Sequence, residues 1–316
     1  MTRLPLRLAM LTAVSILAAA SPAAASTFMP EAAGAAADAP VIDRSVAVEG
    51  GRIQYRIIGD LNSGRTPVLM LHGAFMAGEG MRPLADQFAS DRAVIIVDQR
   101  NHGRTGDLSG PFTYEQLGDD AAAVLADAGV GKADVVGYSM GGAAALQLAL
   151  RHPERVDHLV TMSIAANDSG AAGGMPPVTP TLTPEVFAGS AIESTYRRLS
   201  PTPDAFPTLV GKINAMAVAG HLWPDDEIRA LRHPTFVIVG DYDVILTENA
   251  VKLYRLRGGG DPALVYQPFL TAPPPARMAI LPATSHIGVL SDPVRLSTMI
   301  HAFLNDETPP RTPGFF

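Results

Sequence analysis

Residues 135–142, which read Val-Val-Gly-Tyr-Ser-Met-Gly-Gly, constrain the fold of this chain more than any other stretch. Two β-branched residues end a predicted strand, and an alanine-rich segment from Gly142 begins a predicted helix. Between them Gly137 and Gly141 flank Ser139, and glycines at these positions let neighbouring backbone pass where a Cβ would clash. A Gly-x-Ser-x-Gly turn between a strand and a helix is typical of a nucleophilic serine. We therefore identify Ser139 as the candidate nucleophile.

The composition excludes several classes of function. Aspartate and glutamate outnumber lysine and arginine by 31 to 24, and no basic run is found, which argues against nucleic acid or an anionic membrane as a partner. The chain has no cysteine, so a disulfide, a thiolate metal site, a cysteine nucleophile and a lipoprotein anchor are all excluded. Because 47% of the residues are hydrophobic and 17% charged, we expect a globular core.

The first 25 residues have the pattern of a secretory signal peptide. Arg3 and Arg7 precede an apolar run over 8–20, and residues 21–25 offer an Ala-x-Ala cleavage site. An apolar run of about 13 residues is too short to span a bilayer. We expect an exported protein, periplasmic or secreted, that has no stable membrane insertion after cleavage. Residues 26–42 are predicted to be a linker, since most of this segment is rich in alanine, glycine and proline.

The rest of the sequence alternates between predicted strands and helices. After a predicted hairpin (45–48 with 52–57), strands are expected before Ser139 and at 68–71, 93–97, 156–163, 234–239 and 277–281. Helices are expected near 81–89, 113–128, 142–151, 247–256 and 293–304. This alternation predicts a largely parallel sheet covered on both faces. Sites in such sheets lie outside the carboxyl ends of the strands, where His72, Asp98 and Ser139 fall.

Residues 165–232 break this regularity. The segment is rich in proline, and only short helices are predicted in it, at 185–190, 192–199 and 206–217. An insertion of this length within a compact domain usually covers a functional site. We therefore predict a small helical cap.

A serine hydroxyl becomes reactive only when a base accepts its proton and an acid orients that base. His286 is the candidate base because it lies in the loop after the last predicted strand, at the carboxyl edge of the sheet. Three further histidines of the C-terminal part are placed in the cap, at a strand start and within a helix: His221, His233 and His301. Asp243 is the first candidate for the acid because it reaches further around its turn, while Asp241 and Asp168 remain alternatives.

An acyl-transfer reaction also needs backbone donors that stabilise an oxyanion. We predict the amide of Met140, at a helix N-terminus whose dipole favours negative charge, and the amide of Ala74, in the loop after the strand 68–71. His72 then orders that loop and is not a base. A metal site of His72, His102 and His286 would need carboxylate or thiolate ligands at suitable spacing, which the sequence does not show. We expect no metal.

These segments, in this order, resemble those of the α/β-hydrolase family over about residues 43–305. The matching segments are His72-Gly73, 98–105, 137–142, 240–243 and Ser285-His286. The resemblance implies a serine hydrolase that has the triad Ser139, Asp243 and His286 and needs no cofactor. It also implies that residues 98–103 are mostly structural and shape a loop beside the nucleophile.

The fold that the resemblance implies is an α/β-hydrolase fold: a mostly parallel eight-stranded sheet with helices on both faces and a small helical cap insertion. We expect the core at 43–165 and 233–306, the cap at 166–232 and a flexible tail at 307–316. The oligomeric state cannot be predicted from the sequence.

The resulting hypothesis is an exported hydrolase of small-molecule carboxylic esters. Cofactor-free perhydrolases share the motif, so the sequence does not separate that activity. A carbon–carbon bond hydrolase of vinylogous keto acids, or a non-catalytic binding protein on the same fold, are the alternatives. Carbon–carbon hydrolases usually have Gly-Pro-Gly near the oxyanion loop and a tryptophan after the histidine. This chain has Ala-Gly-Glu-Gly at 77–80 and Ile287 at these positions. The expected apolar substrate pocket is formed by Phe75, Met76, Ile245, Ile287, Leu222 and Trp223.

Overall fold

One eight-stranded sheet organises the computed structural model, which describes residues 39–167, 182–267 and 269–308. Its strands are β1 (Val41–Val48), β2 (Gly51–Ile58), β3 (Val68–Leu71), β4 (Val94–Asp98), β5 (Ala133–Tyr138), β6 (Val156–Met162), β7 (Thr235–Tyr242) and β8 (Ala276–Ser285). The spatial order is β1-β2-β4-β3-β5-β6-β7-β8. β2 is antiparallel to both of its neighbours, whereas all pairs from β4 to β8 are parallel. The predicted mostly parallel sheet of eight strands is confirmed.

Nine α-helices accompany the sheet in the described residues. They are α1 (Arg82–Ala85), α2 (Tyr114–Asp127), α3 (Met140–Arg151), α4 (Ala191–Leu199), α5 (Phe206–Ala219), α6 (Asp225–Ala230), α7 (Thr247–Leu256), α8 (Pro262–Val265) and α9 (Pro293–Leu304). Short 3₁₀ helices lie at Gly78–Met81, Gly103–Thr105, Pro153–Arg155, Pro184–Phe187, Pro203–Ala205 and Ile287–Ser291. Two of the predicted helices are therefore shorter than expected: 81–89 contains only α1, and 185–190 is a 3₁₀ turn.

Local sequence signals explain how several elements begin and end. Thr113 caps α2, because its hydroxyl accepts a hydrogen bond of 3.2 Å from the Gln116 amide. The sequence of Thr113 and Gln116 also predicts a capping box, in which the Gln116 side chain would bond back to Thr113, but this side chain donates to Asp120 instead. The last strand extends four residues beyond the predicted 277–281 and thereby carries the chain to His286.

Two apolar layers bury the sheet. One face packs against α2, α3 and α7, and the other against α1 and α9. The residues of β3, β4 and β5 are all buried, as expected for central strands covered on both sides. This double cover fixes the carboxyl ends of β3, β5, β6 and β7 relative to one another, and the candidate site lies at those ends.

A group of helices, α4 to α6, lies between β6 and β7, where the sequence predicts the cap. Buried residues of α4 and α5 form a cluster that packs on Ala74, Phe75 and Phe112, whereas Met216 of α5 and Ile228 of α6 join the core of the sheet domain. Lys212 of α5 ties it to the sheet domain, since its ammonium donates to the Asp107 carboxylate and to the Leu108 carbonyl, both at 2.7 Å. The limits of the cap, 166–232, stay a prediction because residues 168–181 lie outside the described residues.

Other predicted segments also fall outside the description. The predicted signal peptide, residues 1–25, is not among the described residues, and neither is most of the predicted tail. The predicted linker 26–42 is described only from residue 39, and β1 already begins at Val41. Within the described ranges, none of the helices combines the length and the apolar character needed to cross a membrane.

Candidate active site

The nucleophile candidate lies on a strained turn between β5 and α3. Ser139 has φ 52° and ψ −122°, a left-handed conformation that residues other than glycine rarely adopt. Its amide donates a 2.8 Å hydrogen bond to the carbonyl of Met162, the last residue of β6. The ladder of the sheet therefore continues one residue past the strand and holds this backbone in place.

Close backbone approach explains the glycines around Ser139. A Cβ on Gly137 would lie 2.2 Å from the Gly141 carbonyl oxygen, and one on Gly141 would lie 2.2 Å from the Leu71 carbonyl oxygen. The first contact closes the turn on itself. The second brings the start of α3 against the end of β3, so the loop that contains Ala74 begins beside the serine turn.

The structure brings the serine, the histidine and one of the candidate acids together. Nε2 of His286 is 3.0 Å from Oγ of Ser139, and Nδ1 of His286 is 2.7 Å from Oδ1 of Asp243. Three residues from widely separated parts of the chain thus form one hydrogen-bonded series at the carboxyl edge of the sheet.

Asp243, rather than Asp241, contacts His286. The Asp243 side chain is fully buried and accepts further hydrogen bonds from the Ile245 amide (2.9 Å) and the Ser163 hydroxyl (2.6 Å). Burial alone would raise the pKa of this carboxyl, but the bonds from these partners, with that from His286 the strongest, lower it below its ordinary value.

The other two acids considered from the sequence have different positions. Asp241 is exposed, and its carboxylate accepts a 2.9 Å hydrogen bond from the Thr284 amide. This bond and a second one from the Ala283 amide lower the pKa of Asp241. Asp168 lies outside the described residues.

Tyr138, to which the sequence assigned no role, contacts the histidine loop. Its hydroxyl donates a 2.9 Å hydrogen bond to the main-chain carbonyl of His286, and its ring lies 5.4 Å from the imidazole ring. Burial, with a smaller contribution from the Asp243 charge, raises the pKa of Tyr138. The phenol is therefore a neutral donor that ties the serine turn to the loop of His286.

The predicted oxyanion donors lie where the turn and the β3 loop meet. Met140 is the first residue of α3, and amides in the first turn of a helix have no acceptor within the helix. For the Ala74 amide no acceptor is found among the described residues, whereas the next amide, that of Phe75, donates to Nε2 of His102 at 3.2 Å. Phe75 has φ 61°, so the loop reverses direction directly after Ala74.

Two buried histidines fix this loop. In His72, Nδ1 faces the Gly73 carbonyl at 2.8 Å while Nε2 accepts from the Gln99 amide at 3.1 Å. In His102, Nδ1 faces the Arg100 carbonyl at 2.9 Å, and Nε2 accepts from Phe75. Each ring meets one acceptor and one donor, which fits the neutral form with hydrogen on Nδ1. Burial lowers the pKa of both, that of His102 to about 3.

The segment that follows β4 shapes the same region. The Asp98 carboxylate accepts hydrogen bonds from the Gly78 amide at 2.7 Å and from Arg104 at 2.6 Å. Gly103 has φ 48°, and a Cβ there would lie 2.3 Å from Oδ1 of Asp98. Arg100 is fully buried and paired with Asp120 at 2.7 Å. These bonds connect the segment after β4 to Gly78 and to Asp120 of α2; the structural role of 98–103 stays a prediction.

The six residues predicted to line the substrate pocket do not share one environment. The Phe75 ring lies 4.8 Å from the Phe187 ring of the cap, and Met76 and Ile245 are half-buried against the core. Ile287 is 53% exposed and Leu222 is 73% exposed, whereas Trp223 is only 7% exposed. The indole of Trp223 stacks on His221, with ring centroids 4.0 Å apart, and donates to Glu115 at 3.3 Å.

A possible metal-ligand group lies far from this site. Asp134, Asp157 and His158 bring ligand atoms within 4.8 Å of one another, but they lie near the amino ends of β5 and β6, the opposite edge from Ser139. Arg92 already binds the Asp134 carboxylate at 2.9 Å, and His158 binds its second oxygen at 2.8 Å. These contacts explain the cluster as a buried ion-pair network.

Among the curated proteins that match parts of this chain are putative carbamate hydrolases, a lipase and an esterase. Over 108 residues the chain is 32% identical to an sn-1-specific diacylglycerol lipase from Danio rerio, which covers 34% of this chain and 34% of the lipase. Over 103 residues it is 32% identical to esterase YbfF from Escherichia coli (strain K12), which covers 33% of this chain and 40% of the esterase. The chain therefore spans less than half the length of these curated relatives.

Agreement with solved structures and with a family profile is broader. The enol-lactonase from Burkholderia xenovorans LB400 superposes with a TM-score of 0.62 over 83% of this chain and 100% of that chain, at 21% identity, which shows a shared fold. The profile of the alpha/beta hydrolase fold family matches residues 66–255, more than half of the sequence. The chain belongs to the α/β-hydrolase family.

Proposed function

We propose that this α/β hydrolase is a serine hydrolase that cleaves carboxylic esters through an acyl-enzyme. The hydrogen-bonded series from Ser139 through His286 to Asp243 carries this proposal. A neutral imidazole with hydrogen on Nδ1, held by a carboxylate, leaves Nε2 free to accept the serine proton. The names of two of the sequence relatives, a lipase and an esterase, support hydrolysis of ester bonds as the reaction class.

In the proposed reaction, Oγ of Ser139 attacks the acyl carbon while its proton passes to Nε2 of His286. The Asp243 carboxylate stabilises the imidazolium that forms, and the amides of Met140 and Ala74 stabilise the oxyanion. The tetrahedral intermediate then collapses, and the leaving alcohol takes the proton from His286. A water molecule activated by His286 attacks the acyl carbon, the acid is released, and the proton returns to Ser139.

Chromogenic esters with short and long acyl chains, assayed with and without a serine-directed phosphonate, test this proposal. We expect ester hydrolysis, and a covalent adduct on Ser139 detected by peptide mass spectrometry. Ser139→Ala should lower kcat by about 10⁶-fold, since the members of a triad act as a unit. A protein that neither cleaves any ester of the panel nor forms the adduct is not the proposed enzyme. A Ser139→Ala variant that keeps most of the turnover would assign the reaction to other residues.

Export belongs to the same proposal and rests on the pattern of residues 1–25 alone. The full chain, produced in a bacterium with a periplasm, should appear there without those residues. Mass spectrometry of the purified protein gives its N-terminus. Recovery of the uncleaved chain from the cytoplasm alone would contradict export without affecting the proposed reaction.

A further inference from the structure

Ser163 lies directly after β6 and, like the nucleophile candidate, has a positive φ. Its φ is 59°, and it is 1% exposed. The Ser163 amide donates a 2.8 Å hydrogen bond to the Ile238 carbonyl of β7, as the Ser139 amide does to Met162 of β6. The parallel ladder therefore extends past two successive strands and holds both serines in conformations that serine rarely adopts.

The Ser163 hydroxyl contacts the acid of the candidate triad. It donates a 2.6 Å hydrogen bond to Oδ2 of Asp243, 80 residues further along the chain. The other carboxylate oxygen, Oδ1, receives Nδ1 of His286 and the Ile245 amide. Among the described residues, Ser163 is thus the one donor found for Oδ2, in a side chain without exposure to solvent.

A buried carboxylate is stable only when its oxygens have donors. Rotation of the Asp243 carboxylate is restricted because each oxygen is bound from a different direction, Oδ2 from β6 and Oδ1 from the histidine loop. A serine hydroxyl that only stabilises a local turn would form a hydrogen bond with neighbouring backbone. The hydroxyl of Ser163 instead reaches an ionised group directly after another strand, β7, and its backbone conformation is maintained at a cost in strain.

We propose that Ser163 is a positioning residue for Asp243, whose hydroxyl binds Oδ2 and limits the negative charge that the carboxylate presents to His286. The expected effect on catalysis rests on the proposed function, whereas the expected effect of Ser163 on the Asp243–His286 pair does not. Within the described part of the chain, the ionisable side chains found to interact with Asp243 are His286, from the loop after β8, and Tyr138, from the end of β5.

The expected effect of removing the hydroxyl has a definite sign. The hydroxyl dipole points its positive end at Oδ2 and withdraws negative charge from the side that faces His286. Without it, the negative potential at the imidazole increases, and the imidazolium is favoured. The acidic limb of the kcat/KM profile should therefore move to higher pH.

Two variants separate the hydroxyl from the backbone. Ser163→Ala removes the hydroxyl and keeps a Cβ in the strained conformation, whereas Ser163→Gly removes the hydroxyl and relieves the strain. Ser297→Ala is the matched control, since Ser297 is a buried serine of α9 whose hydroxyl bonds to the Val294 carbonyl at 2.9 Å. In both Ser163 variants we expect kcat/KM on the acidic limb to fall by up to about 10-fold, while Ser297→Ala keeps the wild-type profile.

An NMR titration of the His286 imidazole gives a readout that does not depend on turnover. We expect its midpoint to rise in Ser163→Ala and in Ser163→Gly and to stay unchanged in Ser297→Ala. A midpoint that is unchanged or lower in both Ser163 variants overturns the proposal, whichever of them is the more stable. If the wild type cleaves no ester and forms no phosphonate adduct, the proposed function fails, and the titration still decides the role of Ser163.

Discussion

The hydroxyl of Tyr138 donates a 2.9 Å hydrogen bond to the main-chain carbonyl of His286. Tyr138 is the residue directly before the candidate nucleophile, so this bond joins the serine turn to the loop of His286. The side chains of Ser139 and His286 must stay within hydrogen-bond distance of each other for the proton transfer. The contact is to backbone, and it therefore holds the position of the loop without restricting rotation of the imidazole.

Tyr138→Phe should loosen this connection. We expect a loss of about 1 kcal/mol in the free energy of unfolding, the net value of one hydrogen bond. If the activation free energy rises by the same amount, kcat falls roughly fivefold. Urea unfolding and steady-state kinetics on one ester measure the two effects.

A matched control lies in the cap. The Tyr196 hydroxyl is buried, and no hydrogen-bond partner is found for it among the described residues. Tyr196→Phe removes the same atom without breaking a bond, so stability should be unchanged or slightly higher. Equal losses of unfolding free energy in Tyr138→Phe and Tyr196→Phe would show that the bond to His286 adds no stability of its own.

The glycines of the serine turn predict a second pair of variants. Gly141→Ala should cost about 3 kcal/mol of unfolding free energy, because its Cβ would lie 2.2 Å from the Leu71 carbonyl oxygen, a backbone atom that cannot rotate away. In Gly211→Ala, within α5, the new Cβ meets nothing within 4 Å and should raise stability by roughly 0.5–1 kcal/mol through helix propensity. Thermal unfolding compares the stabilities of the two variants. If both substitutions raised or both lowered stability, the close contact between Gly141 and the Leu71 carbonyl would be contradicted.

The two acids after β7 offer a third test. Asp243→Asn leaves the imidazolium without a charged partner and should lower kcat by about 10⁴-fold. Asp241→Asn keeps an oxygen that accepts from the Thr284 amide, so activity should stay near that of the wild type. Comparable losses of kcat in the two variants would mean that the acid has been assigned wrongly.

Stability should depend on pH through the buried histidines. Burial, with a smaller effect of His72, lowers the pKa of His102 from 6.5 to about 3. Between these values the unfolded chain binds a proton that the folded chain does not, so the free energy of unfolding falls as the pH decreases below 6.5. Near pH 5 the loss is at most about 1.4 kcal/mol per pH unit for each such histidine.

His102→Gln isolates this contribution. The amide of glutamine offers one acceptor and one donor, the two roles that the neutral imidazole fills toward Phe75 and Arg100. Urea unfolding from pH 7 to pH 4.5 should then show a slope near pH 5 that is reduced by at most about 1.4 kcal/mol per pH unit, even if the variant is less stable at every pH. An unchanged slope would mean that His102 titrates alike in the folded and unfolded chains.

The sequence predicted the sheet and the order of its elements, because alternation of strands and helices depends on local patterns. It could also point to Ser139 and His286, since the glycine turn and the loop after the last strand are local features as well. The choice between Asp241 and Asp243 is less local. The register of β7 and β8 shifts between Gly240 and Tyr242, and such a bulge redirects side chains, which turns Asp241 toward Thr284.

Contacts between strand ends could not be predicted from the pattern. Ser163 and Tyr138 lie on strands whose neighbours in the sheet come from distant parts of the chain, so their partners depend on the register of parallel pairs. Serine at the end of β6 is the only sequence signal for the contact with Asp243, and it is a weak one. The placement of the pocket candidates depended on the cap, whose packing is set by tertiary contacts.

The neighbouring residues Leu222 and Trp223, both predicted to line the pocket, separate into different roles. Trp223 is 7% exposed and packs against His221 and Tyr114, so Trp223→Ala should cost about 3–5 kcal/mol of unfolding free energy. Leu222 is 73% exposed, and Leu222→Ala should change stability by less than about 0.5 kcal/mol. If Leu222 contacts substrate, its truncation raises KM for long-chain esters more than for short ones, while kcat is kept. An equal KM across the ester panel would remove Leu222 from the pocket, and a stability loss as large as that of Trp223→Ala would contradict its exposed position.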